Sequence, residues 1–257
     1  MILNHLTVEA EMASSRYGLL TDSWRILFTQ ALNQSDFGST AQAARIVKEA
    51  YAIADVFLDE ERKAATRIIT EIALRAHQTT VSEIASNDAD ELTDAALEHL
   101  SVTQRYIIDE LIAQIHRDIA LVRQTLQRVA LEVSLAARSR GINQRVALIE
   151  YRIGNQAELQ FMFHDRVRRK WVSKKFVRAI WRHTLLSVYN ESVLLTLADH
   201  GITRAQVKHQ DAGAESHDMV ISFGSNSELP TYSEIRETVF HPNANAHLAM
   251  EKRNVPA

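Results

Sequence analysis

The stretch Ile108–Val133, IDELIAQIHRDIALVRQTLQRVALEV, decides the fold. Its apolar marks Ile108, Leu111, Ile115, Ile119, Val122, Leu126, Val129 and Val133 are spaced 3, 4, 4, 3, 4, 3 and 4. An α-helix turns once in about 3.6 residues, so this spacing draws one apolar stripe, close to the heptad seam of a coiled coil or an elongated bundle. The helix around it is expected from about Glu91 to Arg138, roughly 70 Å at 1.5 Å per residue. The seam demands a partner helix, in the same chain or in another.

Outward from this stretch the chain reads as helix nearly everywhere. Its only prolines are Pro230, Pro242 and Pro256. Proline costs about 3 kcal/mol inside a helix, so a long proline-free stretch rich in Ala, Leu, Glu, Gln and Arg is a helix signal. A first helix is expected over Thr21–Leu32, a turn over Asn33–Thr40, and one or two helices from Ala41 to about Ser86. The acidic step Asn87-Asp88-Ala89-Asp90-Glu91 suits a helix start, because side-chain oxygens cap free N–H groups and carboxylates favour the positive end of the helix dipole. Ser139-Arg140-Gly141 ends the long helix, and Gln144–Phe163 is expected to be helical again, with Gly154 as a weak point. Beyond Gly201 glycine and proline gather among short apolar runs such as Met219–Phe223, the texture of a small domain with a few strands. The expected fold is mainly α: an elongated long-helix bundle over 1–142, then a small α+β domain over 143–257.

Composition narrows function. The 257 residues contain no cysteine, which excludes disulfides and thiolate chemistry. Met1–Leu6 carries no Lys or Arg and does not read as a secretory signal, and no apolar run is long enough for a bilayer. Net charge is −3 but uneven: residues 1–100 carry −8 and residues 101–200 carry +7. Two surfaces with different partners are one reading, and chance patchiness on solvated helices is the other.

The basic excess peaks in His164–His183, HDRVRRKWVSKKFVRAIWRH, with eight Lys/Arg against one Asp. Arg166, Lys170, Lys174, Arg178 and Arg182 recur every four residues, and Arg169 and Lys175 add to them. On one helix they form a broad basic face, with Trp171, Phe176, Val177, Ile180 and Trp181 as its buried counterpart. Ser173 is equally able to cap a fresh helix and divide the face in two. Such a face attracts phosphate without reading base edges, so DNA contact would be nonspecific and salt-sensitive. The competing readings are pairing with the acidic first hundred residues or docking on an acidic partner.

Four of the 11 histidines sit in the tail at His209, His217, His241 and His247. A metal site from His209, Asp211, His217 and His241 would activate water for hydrolysis. Histidines that satisfy local hydrogen bonds are the plainer reading. No glycine-rich phosphate loop, serine elbow or HExxH helix is present, so no catalytic set, cofactor or metal is assigned.

Four pieces of the last third carry a resemblance. Phe163–Trp171 (FHDRVRRKW) is similar to a segment reading aromatic-x-Asp-x-x-Gly-Arg-x-Trp, with Asp165 and Trp171 in register and Arg168 in place of the glycine. Phe176–Tyr189, containing Trp181 and Arg182-His183-Thr184, is similar to the helix that follows it, usually centred on Arg-Thr-Thr. His209–His217 (HQDAGAESH) resembles a His-x-Gly-Ala-Arg-x-Ser-His turn, with Glu215 in place of Arg. Phe240–His247 (FHPNANAH) resembles a closing His-Pro-Asn-Cys-Arg-His element, keeping His241, Pro242, Asn243 and His247 but replacing Cys-Arg by Ala244 and Asn245. Order and spacing match the tailed-phage minor capsid protein 2 family, related to the Mu-F-type head morphogenesis proteins. The resemblance implies a structural virion protein, not an enzyme, inside the capsid or at the portal vertex and in the host cytoplasm before assembly. Implied partners are the portal protein, other capsid proteins and packaged DNA, with several copies around the portal and no membrane. The alternatives are a metal-dependent hydrolase using the tail histidines, or a cytosolic helical scaffold that binds nucleic acid.

Overall fold

In the computed structural model, residues 2–84, 92–154, 159–223 and 228–251 are described. They form six helices, α1 (Ile2–Leu32), α2 (Thr40–Ile84), α3 (Asp94–Arg140), α4 (Gln144–Gly154), α5 (Ser173–Asp199) and α6 (Tyr232–Val239). Five short strands accompany them: β1 (Met162–His164), β2 (Lys170–Val172), β3 (Arg204–His209), β4 (Val220–Ser222) and β5 (Ala246–Met250). The protein is thus mainly α with a small α+β end. No helix among the described residues is long and apolar enough to cross a membrane. The expected acidic helix start at 87–91 lies outside the described residues.

The chain divides into two compact units, and the division runs across the long helices. One unit is Met1–Ala13, Arg62–Asp109 and Val177–Ala257; the other is Ser14–Glu61 and Glu110–Phe176. We call them the sheet unit and the seam unit.

In the seam unit the α3 stripe from Leu111 to Val133 is buried, against helices of the same chain. Tyr17 on α1 donates to Asp118 on α3 at 2.7 Å, and the Trp24 indole donates to the Ala50 carbonyl of α2 at 3.0 Å. The Tyr51 hydroxyl of α2 lies 2.9 Å from His116 Nδ1 on α3. Tyr17, Trp24 and Phe161 stack in sequence, with ring centroids 6.5 and 5.6 Å apart. The turn between α1 and α2 holds Gly38 at φ 88°, where an added Cβ would also meet Ala130 Cβ at 3.4 Å. That backbone is costly for any residue with a side chain.

The most demanding group is Asp118, 2% exposed. Its carboxylate accepts from Tyr17, from the Ser173 hydroxyl at 2.8 Å and from the Gln114 amide at 3.1 Å. Burial pushes its pKa up, and these three donors with nearby Arg117 only partly offset the shift.

The sheet unit packs helix against sheet. Strand order is β4-β3-β5, all antiparallel, with Ala205 opposite Ile221 and Val207 opposite Leu248. Ala205, Val207, Ile221 and Leu248 are buried, as are Trp181, Leu185 and Val188 on α5. Asn190 on α5 accepts the Leu248 N–H at 2.9 Å, joining helix to sheet.

Three expectations change. The first helix begins at Ile2, not Thr21. The helix from Gln144 is described as far as Gly154 and does not reach Phe163, which lies in a strand. Trp171 is only half-buried.

Two outcomes follow. Gly38→Ala should destabilise by about 1–2 kcal/mol, read by thermal or urea melts. Asp118 has a raised folded pKa, so its contribution to stability is full below the unfolded value of about 3.9 and is lost as pH rises through the folded pKa. Asp118→Asn removes that titration. The melting temperature of the variant relative to the parent should therefore climb as pH is raised from about 4 towards 7; a flat difference would show that Asp118 does not titrate in this range.

Candidate nucleic-acid interface and tail motifs

The basic segment is not one helix. Met162–His164 and Lys170–Val172 pair antiparallel, with Phe163 opposite Trp171, and α5 starts only at Ser173. The division at Ser173 is therefore the arrangement the chain adopts.

Asp165 builds the hairpin tip. Its Oδ1 accepts the N–H groups of Val167 at 3.0 Å and Arg169 at 2.8 Å, and its Oδ2 accepts the Trp171 indole N–H at 3.1 Å. Lost solvation pushes its pKa up, but the hydrogen bonds from Arg169, Trp171 and Val167 prevail and hold it below the usual aspartate range. Arg168 closes the turn at φ 60°, its N–H donating to the Asp165 carbonyl at 2.9 Å. This left-handed position is the one where the resembling pattern has glycine, the residue that adopts it without cost. Behind the tip Phe163 and Trp171 meet Phe176 edge-on, and Arg117 of α3 lies over Phe163 and Phe176 at 4.8 and 5.2 Å. Arg117 was not anticipated, since nothing in sequence ties a seam-helix arginine to this hairpin.

The predicted DNA-binding residues separate into two groups. Arg166, Arg169, Lys170, Lys174 and Lys175 are exposed, all in the seam unit, and Arg168 joins them at the tip. Arg169 is 75% exposed with only a 3.5 Å approach to Asp165. Lys174 and Lys175 occupy the first turn of α5, which holds no acidic residue. Cations there face the positive end of the helix dipole, at a cost of about 0.3–1 kcal/mol each. Helix stability does not explain them.

Arg178 and Arg182 belong to the sheet unit and are occupied. Arg178 ion-pairs with Glu11 at 2.5 Å. Arg182 is 7% exposed and donates to Thr7 Oγ1 at 3.3 Å and the Ala244 carbonyl at 3.1 Å. Its assignment to DNA is corrected: it is a structural tie, because Thr7 and the Ala244 turn cover the part of α5 where Arg182 lies, although it keeps the four-residue spacing from Lys174 and Arg178 within that helix.

The tail histidines serve local structure. His217 Nδ1 lies 3.1 Å from both the N–H and the carbonyl of His209, closing the 209–217 loop. His209 Nδ1 accepts the Asp211 N–H at 3.0 Å, and Asp211 Oδ1 accepts the Gly213 N–H at 2.9 Å. His241 Nδ1 accepts the Asn243 N–H at 3.2 Å in the turn that contains Pro242, and its carbonyl accepts the Ala244 N–H at 2.8 Å. His247 packs edge-on against Tyr189, and burial, aided by the positive charge of Lys208, brings its pKa down to about 4. Among the described residues no three His, Asp or Glu side chains converge in a way that would hold a metal ion.

These contacts join three of the four resembling pieces. Arg182 reaches Ala244, the Gln210 N–H donates to the Asn245 carbonyl at 2.7 Å, and His209 pairs with Ala246 across β3 and β5. The fourth piece is the Asp165 hairpin.

Arg168→Gly should raise stability by about 0.5–1 kcal/mol, because glycine takes the left-handed turn without the side-chain clash; an unchanged melting temperature would show that the turn carries no strain. Arg182→Met should cost about 1–3 kcal/mol through partners left unpaired in the interior, again read by melting.

Compared with known proteins, the chain matches no family model, no curated protein and no solved structure.

Proposed function

We propose that this chain is a structural component of a tailed-phage head, a minor capsid protein that sits at the portal vertex and touches packaged DNA through the basic hairpin. The observation that carries this reading is the coherence of the resembling pieces. Residues chosen by pattern alone are hydrogen-bonded to one another in the sheet unit, and Arg168 takes a glycine's backbone where the pattern has glycine. That arrangement supports the resemblance.

The DNA contact rests on six exposed cations between Arg166 and Lys175. No side chain there is placed to read base edges, so binding is electrostatic and independent of sequence. The same surface supports the scaffold reading. What separates the two is the particle: a head protein co-purifies with virions, and a cytosolic scaffold does not.

The test is twofold. Virions purified from cells that carry the gene should contain the chain by mass spectrometry, and its gene should lie beside portal and large-terminase genes; particles without it would refute the virion role. Lys174→Glu with Lys175→Glu should weaken DNA binding in filter assays and flatten the log–log salt dependence by about one unit per lost phosphate contact. The same variant should melt slightly higher, since carboxylates suit a helix N-terminus. Arg182→Met should leave DNA affinity unchanged.

A further inference from the structure

A second surface of the seam unit lies on α4, a helix with two apolar faces. One face is buried through Ala147 and Leu148. The other exposes Val146 at 45%, Ile149 at 46% and Ile153 at 81%. Their spacing, i, i+3 and i+7, places them on one side of the helix. The helix is fixed in place by ion pairing of Glu150 with Arg140 at 2.5 Å and by capping of its first turn by Asn143, which accepts the Arg145 N–H at 2.7 Å.

A cavity of about 340 Å³ opens beside this face. Leu32, Phe37, Leu148 and Ile149 supply its apolar wall, Arg145 and Arg152 its charge, and Ser35 with the amide side chains of the 33–34 and 143–144 turns its remaining polar groups. No carboxylate lines it, and neither arginine has a carboxylate partner among the described residues. Exposed aliphatic side chains, a hollow with an apolar wall and two uncompensated guanidinium groups thus occupy one place.

We propose that this surface is a docking site for an acidic amphipathic helix of another protein. The apolar row of α4 matches the row of a second helix, and the cavity takes one of its large side chains. Charge selects the partner: Arg145 and Arg152 lie seven residues apart, two turns along the helix, so carboxylates two turns apart on the incoming helix meet both. Nucleic acid fits poorly, because a phosphate backbone would leave Ile149 and Ile153 in water. This inference is independent of the virion reading and stands or falls on the α4 surface alone.

The probe is a fluorescently labelled synthetic helix with leucine at i, i+3, i+4 and i+7 flanked by glutamate, titrated with the full chain and followed by anisotropy. Saturable binding is expected. Arg145→Glu with Arg152→Glu should weaken it by about tenfold or more, and a lysine-for-glutamate version of the probe should recover affinity for that variant. Ile149→Ser with Ile153→Ser should weaken it by a similar factor while circular dichroism stays native, since both side chains are exposed. Absence of binding, or equal binding by a scrambled acidic peptide, would overturn the proposal. So would preferential binding to anionic vesicles, or sedimentation showing that the chain self-associates through these residues.

Discussion

The seam unit depends on one buried carboxylate. Asp118 is held by donors from three separated parts of the chain: Tyr17 on α1, Gln114 one turn earlier on α3, and Ser173 at the first residue of α5. A charged group without water is tolerated only where its lone pairs are filled and its surroundings are rigid. The network therefore fixes where α5 begins, and so where the hairpin before it stands. Burial of Asp118 also sets Tyr17, whose own pKa is pushed well above the ordinary phenol value by burial first and by the neighbouring carboxylate second.

From that anchor the basic surface takes its form. Because α5 starts at Ser173, the cations from Arg166 to Lys170 project from a hairpin and Lys174 and Lys175 from a helix end. Four-residue periodicity had joined Arg182 to the same face, but Arg182 is buried against Thr7 and Ala244. Lys174, Arg178 and Arg182 share α5, so periodicity places residues on one side of a helix without saying which part of that side is covered. Among these cations it was the hydroxyl residue Ser173 that pointed to the break, and the turn held by Asp165 is visible only in the structure.

Much of the helical architecture was legible. The α3 seam reads directly because its marks are bulky and regularly spaced. The first half of α1 was missed although its buried residues Leu3, Leu6, Ala10, Ala13, Tyr17, Leu20 and Trp24 keep the same alternation of three and four. Two of its seven marks are small alanines, and polar Asn4, Thr7, Ser14 and Ser15 stand between them; packing then overrode weak propensity. The helix α6 was missed despite a full signature, since Thr231 and Glu234 form a reciprocal capping box. In the site, Asp165 and Trp171 were singled out through the resemblance, and the hydrogen bond between them joins positions only six residues apart. Arg117 over the hairpin and Asp118 beneath α5 were not, because no short-range pattern encodes a contact made across more than forty residues of chain.

The turn at Arg168 has an evolutionary corollary. A positively charged side chain stands there in backbone that glycine would occupy with less strain, and two lysines begin a helix that glutamates would favour. Directed evolution for heat resistance alone would replace all three and strip charge from the tip first. Variants recovered under such selection would thus map the surface by what they lose, and the positions that resist exchange in the intact organism would mark where stability has been traded for contact.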